Sequence, residues 1–182
     1  MLKFLDLVKK RQSVRAYQDK PVEREKIERC LQAAQLAPSA VNSQPWYFVV
    51  VDEPSLKDRI ANKTFSSIIS FNRFSLQAPA LIVVVVENSG IIGKIGEKIK
   101  NTHFNPIDIG IAVENICLQA VEEGLGTCIL GWFDEKGVKG ILKIPSSKKI
   151  ELIITLGYPA STEIRNKKRK KLDEIRNYNK YK

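Results

Sequence analysis

The sequence predicts a single domain that mixes helices with strands, and three observations carry this. Apolar, β-branched runs at Trp46–Val51, Ala80–Val86 and Ile150–Leu156 read as strands. Stretches of helical period lie between them. The 182 residues are 43% hydrophobic, enough to fill one core.

Taken in order, residues 2–10 place Leu2, Leu5 and Val8, or Phe4, Leu7 and Val8, on one face of an amphipathic helix. Asp19-Lys20-Pro21 is a turn leading to a second helix, with Ile27, Cys30, Leu31, Ala34 and Ala37 inward and Pro38 as its stop. Trp46–Val51 is expected to be a buried strand. Asp52-Glu53-Pro54 opens a helix with Leu56 and Ile60 facing the core. Residues 62–78 show no single period and receive no assignment. Ala80–Val86 is apolar on both faces and should lie centrally in a sheet. Glu87–Thr102, with three glycines, reads as mobile or partly helical.

The longest helix starts at Asn105-Pro106, with the asparagine as cap and the proline at the first helical position. Asp108 suits the positive helix end. Ile109, Ala112, Val113, Ile116, Cys117 and Ala120 form its apolar stripe, Glu114 interrupts it, and Gly124 ends it. Gly124 and Gly126 permit close backbone approach before a strand at Thr127–Leu130. Asp134 starts a short helix, and Gly157-Tyr158-Pro159 turns the chain outward after the last strand.

Composition removes several function classes. No apolar run spans a membrane and the N-terminus lacks a signal-peptide layout, so a cytoplasmic location is expected. Cys30, Cys117 and Cys128 have no zinc or disulfide spacing, and His103 is the only histidine for a triad or metal site. The glycines around 124–126 follow a helix and precede a strand, the reverse of a dinucleotide-binding loop. The net charge of +10 is uneven: Arg165–Lys182 holds nine Lys and Arg against Asp173 and Glu174, a surplus of +7. Such an arm suits nucleic acid, an anionic surface, solvent or a bound phosphate.

Two stretches carry chemistry. In Arg11-Gln12-Ser13-Val14-Arg15, an extended chain would turn Arg11, Ser13 and Arg15 to one side, two guanidinium forks and a hydroxyl suited to a phosphate. This requires the first helix to end near Arg11. Pro38-Ser-Ala-Val-Asn-Ser-Gln-Pro-Trp46 is a polar loop feeding a strand. Its Asn42 and Gln44 carry the donors and acceptors that could read an imide-like ring edge, or else satisfy the loop's own backbone.

These motifs, in this order, resemble the FMN-dependent nitroreductase family over essentially the full chain. The matching pieces are Arg11-x-Ser13-x-Arg15, Pro38-Ser39-x-x-Asn42-x-Gln44-Pro45-Trp46 and Ala78-Pro79-Ala80. Gly124-Leu125-Gly126 and Leu156-Gly157-Tyr158-Pro159 before a basic segment complete the set. The resemblance implies an α+β fold: a central mixed, mainly antiparallel sheet flanked by helices, in an intertwined homodimer with FMN at the subunit boundary. One domain spans 1–182, with 160–182 a basic arm. By position, Arg11, Gln12, Ser13 and Arg15 would hold the FMN phosphate and ribityl chain. Ser39, Asn42 and Gln44 would come from the partner subunit. Leu130 and Gly131 would lie beside the flavin's reactive edge, and Arg169 and Lys170, or a pair one or two positions away within Lys167–Lys171, would return to the phosphate, with Leu172 and Ile175 anchoring the arm.

The implied activity is NAD(P)H-dependent reduction of nitroaromatics, quinones or similar small acceptors, with NADH or NADPH as co-substrate and no nucleic-acid or membrane partner. A specialised flavin reaction such as dehalogenation, azoline oxidation or flavin fragmentation is the alternative, ahead of a basic nucleic-acid-binding protein. The chain departs from better-known members at Gly131-Trp132, where an acidic residue and a glycine are common. Cys128 reads as a small buried residue rather than a redox thiol.

Overall fold

The computed structural model describes residues 3–87 and 103–181, so the expectation for Glu87–Thr102 falls, apart from Glu87, outside the described residues. Four strands form the sheet: β1 (Trp46–Val51), β2 (Ala80–Val86), β3 (Gly126–Leu130) and β4 (Lys149–Gly157). They pair in the order β1-β2-β4-β3, every pair antiparallel. The helices are α1 (Phe4–Lys10), α2 (Arg24–Gln35), α3 (Pro54–Ala61), α4 (Asn105–Glu122), α5 (Glu135–Leu142) and α6 (Leu172–Ile175). This is the α+β class the sequence implied. The one parallel feature among the described pairings is a bridge from Ser13 to Thr127.

The alternation of β2 divides the core in two. Ile82 and Val84 face α2 and α4, where Ile27, Cys30, Ala34, Ile109, Ala112 and Ile116 bury against them. Leu81, Val83 and Val85 face the other side, with Ile60 of α3, Val138 of α5 and Ile153 of β4. A strand with a core on both sides must be apolar throughout, which is why β2 reads as an unbroken run.

Three local expectations are corrected. β1 is an edge strand and half-buried, with Tyr47 60% exposed. Phe104, not Asn105, occupies the cap position of α4, and Asn105 Oδ1 is buried without a hydrogen-bond partner among the described residues. Tyr158 and Pro159 do not lead straight outward but run beside residues 16–18 first: Gln18 N–H donates to Tyr158 O at 2.9 Å and Ala160 N–H to Ala16 O at 3.0 Å. In the unassigned 62–78 stretch, the turn Arg73–Gln77 and a buried hydroxyl pair, Thr64 Oγ1 to Ser75 Oγ at 2.8 Å, replace a helical face. Polar side-chain bonds hold this segment, so no hydrophobic period exists to be read.

Candidate functional site

The site begins where α1 stops. Arg11 leaves the helix in an extended conformation (φ −56°, ψ 123°), and Val14 N–H donates to Thr127 O at 2.8 Å. Two glycines allow this close crossing: Gly126 and Gly157 face each other across β3 and β4. A Cβ on Gly126 would stand 2.4 Å from Val14 Cγ2, and one on Gly157 2.9 Å from Tyr17 Cδ1. Buried Tyr17 locks the segment: its hydroxyl donates to Val14 O at 2.9 Å and lies 2.6 Å from Thr155 Oγ1. Burial pushes that phenol well above its ordinary range. With Val14 and Tyr17 packed on the sheet, Arg11, Ser13 and Arg15 line one cavity, as the alternation requires.

The basic arm closes it. Gln12 Nε2 donates to Glu163 O at 2.9 Å, and Gln12 Oε1 accepts from Arg165 N–H at 3.2 Å. Arg165 Nη2 donates to Ser13 O at 2.6 Å. Lys167 Nζ donates to Arg11 O at 2.6 Å and to Lys9 O, a cation on carbonyls at the C-terminal end of α1. The resulting cavity, about 270 Å³, is lined by Arg11, Gln12, Ser13, Arg15, Arg165, Asn166, Lys167 and Arg169. Five of these side chains are cationic and none is acidic. Glu114 of α4 pairs with Arg11 at 3.4 Å without lining the cavity. Burial first, then the positive charges of Arg11, Arg169 and Arg165, hold the Lys167 ammonium below its ordinary range. A cluster of cations that repel one another is what a multiply charged anion would relieve.

The structure thus brings together Arg11, Gln12, Ser13, Arg15 and Arg169. Lys170 does not line the cavity, whereas Lys167, within the Lys167–Lys171 run left open by the sequence, does; Arg165 and Asn166 line it too, and sequence reasoning missed those two. A nearly uniform basic run gives no register; the available signal was Gln12, an amide placed to clasp a passing chain. Leu172 and Ile175 are 60% and 65% exposed, so they do not anchor the arm on its own subunit.

The remaining residues stand apart from the cavity. Ser39, Asn42 and Gln44 belong to the loop around the turn Ala40–Asn42, and none lines it. There Ser39 Oγ accepts from Gln44 N–H at 2.9 Å and buried Asp108 accepts from Ala40 N–H at 3.1 Å. Leu130 ends β3 and is buried, while Gly131 is exposed. Beyond them Trp132 meets Phe71 edge-to-face at 6.3 Å, and its carbonyl accepts from Asn72 Nδ2 at 3.1 Å. Burial pushes all three thiols up, Cys117 to about 11 and Cys30 to about 12, so Cys128 is no ready thiolate. His103 is exposed.

The family model described as the nitroreductase family matches residues 8–158. The chain belongs to the nitroreductase family. The matched span contains the 11–15 segment, the 38–46 loop and β3, and stops before the basic arm. An Archaeoglobus fulgidus protein provisionally named as an NADH dehydrogenase/NAD(P)H nitroreductase is 33% identical over 165 residues, covering 87% of each chain. An iodotyrosine deiodinase of Thermotoga neapolitana is 28% identical over 87% of this chain and 90% of its own. The solved structure of an FMN-dependent nitroreductase from Clostridium difficile superposes with a TM-score of 0.75 at 28% identity, covering 98% of this chain and 100% of that one. A nitroreductase-family oxidoreductase is therefore the level at which these relatives agree. Among the described residues no helix is long and apolar enough to cross a membrane, and no group of three or more His, Cys, Asp or Glu could hold a metal ion.

Proposed function

We propose that this nitroreductase-family protein is an FMN-dependent oxidoreductase that accepts hydride from NADH or NADPH and delivers it to a nitroaromatic, quinone or similar acceptor. The observation that carries the reading is the five-cation cavity, which has room for a phosphate dianion and the donor chemistry to hold one. Arg11, Ser13 and Arg15 would hold the FMN phosphate, with Gln12, Arg165, Lys167 and Arg169 shaping the cavity from the arm side and Lys170 close by in sequence. The sequence holds no second pyrophosphate or adenine motif beside the 11–15 segment, which favours FMN over a pyrophosphate-bearing flavin. When bound, the flavin supplies the hydride-transfer chemistry.

The chain's own residues position and tune it. The main chain at Leu130–Gly131 would offer an N–H to the reactive edge, and cationic or N–H groups near N1 and O2 would stabilise negative charge on the reduced ring. Ser39, Asn42 and Gln44 would reach the ring from the partner subunit of a homodimer, which accounts for their standing apart from the cavity in one chain. Donor and acceptor using one face in turn predicts ping-pong kinetics.

The test is an anaerobic titration of the purified protein with NADH and NADPH, followed by chromatography of heat-released flavin. Bleaching of a visible flavin band and release of FMN are expected; a colourless protein that takes up no FMN sinks the reading. The deiodinase relatives support a second reading, reductive dehalogenation at the same site. Iodide release from iodotyrosine by dithionite-reduced protein, with no bleaching by NADH or NADPH, would favour it.

A further inference from the structure

The loop after α2 carries a concentration of backbone strain. Val41, Asn42 and Gln44 have φ of +48°, +54° and +45°, three of the five non-glycine residues in the left-handed region among the described residues. Val41 is β-branched and 65% exposed, so no packing of its side chain compensates. Asn42 and Gln44 are exposed as well, and their mutual contact is loose, 3.3 Å from Gln44 Nε2 to Asn42 Oδ1. A strained loop persists only when its surroundings over-determine it. Main-chain turns brace it, Asn42 N–H to Ser39 O and Ser43 N–H to Ala40 O, each at 3.0 Å, and two side chains accept from its backbone N–H groups. One clamp is local, Ser39 Oγ with Gln44 N–H. The other comes from 68 residues away: Asp108, 4% exposed in the first turn of α4, accepts the Ala40 N–H. The partial positive charge of the helix end makes a buried carboxylate tolerable there.

We propose that Asp108 is a positioning residue: its carboxylate fixes the 39–44 loop in the strained form in which Asn42 and Gln44 meet the flavin ring. This rests on the FMN reading above. Asp108 does not touch the flavin; it acts through the Ala40 N–H. The strain is what gives the clamp its purpose. Released, the loop relaxes toward ordinary backbone angles and its two amides lose their aim.

The experiment compares Asp108→Ala, Asp108→Asn and Ala40→Pro as full-length protein, by FMN titration, flavin absorption spectrum and reduction potential, and melting of the flavin-free form. Ala40→Pro removes the donor without touching Asp108, and Ser39 (ψ 155°) already has the backbone that precedes a proline. Asp108→Ala and Ala40→Pro should each weaken FMN binding about tenfold and shift the potential. Asp108→Asn, which keeps an acceptor, should restore most of both. In an Asn42→Ala/Gln44→Ala background, Asp108→Ala should add no further loss, since it works through those side chains. Unchanged FMN binding in Asp108→Ala and Ala40→Pro overturns the inference. So does an equal loss in the double-substituted background, which would make the effect general destabilisation. Should Asp108→Ala not fold, Ala40→Pro, alone and in the Asn42→Ala/Gln44→Ala background, carries the same two outcomes. Failure of the unsubstituted protein to take up FMN would instead sink the parent reading.

Discussion

In the cationic cavity, the walls are tied together by hydrogen bonds that involve the main chain: Val14 to Thr127, Arg165 to Ser13, Lys167 to Arg11. In the 39–44 loop, two side-chain clamps hold three left-handed residues whose tips face outward. The two regions carry opposite stresses. The cavity is geometrically settled and electrostatically unsatisfied. The loop bears little charge and is conformationally unsatisfied. An anion relieves the first, and a surface laid against Asn42 and Gln44 would offset the cost of the second. A ligand with a phosphate at one end and a hydrogen-bonding ring at the other meets both demands, provided that a second subunit brings its loop to the first subunit's cavity.

Removing the arm is the most severe way to break this contrast. Deletion of 165–182 takes Arg165, Asn166, Lys167 and Arg169 from the cavity while leaving the loop clamps in place. The truncated protein should elute without flavin and with a weakened dimer, read by size exclusion at protein and flavin wavelengths together. A flavin-loaded, dimeric truncation would refute the arm's role. Loss of salt-sensitive nucleic-acid binding with flavin retained would make the arm a nucleic-acid device.

Arg15→Ala sharpens the electrostatic half. Arg15 is exposed, with its guanidinium 5.9 Å from the Phe74 ring centroid, so it contributes little to the core. Its loss should cost about 1.5–3 kcal/mol of FMN binding, roughly ten- to over a hundredfold. Unfolding by urea should barely change, and an unchanged FMN dissociation constant would remove Arg15 from the ligand set.

Gly126→Ala probes the geometric half. The new methyl would collide with Val14 and lift the 11–15 segment from the sheet. A stability loss of about 1–3 kcal/mol is expected, together with weaker FMN binding. A fully stable, flavin-loaded variant would show that the crossing can move without harm to the site.

The smallest effect is a control outside both regions. Arg29 and Glu123 pair at 2.7 Å, and that bond, ahead of any other cause, holds the Glu123 carboxyl below its ordinary range. A depressed folded-state pKa contributes stability above the unfolded value and loses it as pH falls through the folded one. Arg29→Gln should therefore lower the melting temperature slightly at pH 7, and the difference should vanish as carboxylates protonate below about pH 4. FMN binding should not change; if it did, the cavity would be coupled to the far end of α4.

Much of the fold was legible because its elements obey simple periods. The α4 stripe from Ile109 to Ala120 and the apolar run of β2 fall where the pattern put them. The depth of β1 was not legible, since Trp46–Val51 has the composition of a central strand whichever place it takes. The cap of α4 slipped by one residue, as Asn105 sits inside the first turn and Phe104 precedes it. In the site, the alternation of Arg11, Ser13 and Arg15 was readable, whereas the register within Lys167–Lys171 was not, and Arg165 and Asn166 just before that run carried no signal of their own. The strain at Val41, Asn42 and Gln44 left no trace, because none is the glycine that usually marks a left-handed turn.

The bonds from Gln12 to Glu163 and from Lys167 to Lys9 join residues 151 and 158 positions apart. On the ribosome this separation becomes a delay. Arg11, Ser13 and Arg15 are made well before 163–169, which must follow before the cavity's second wall exists. A nascent chain therefore has no finished cavity to load, however far its sheet has formed. Binding of an anion there has to follow synthesis of both segments that line the cavity.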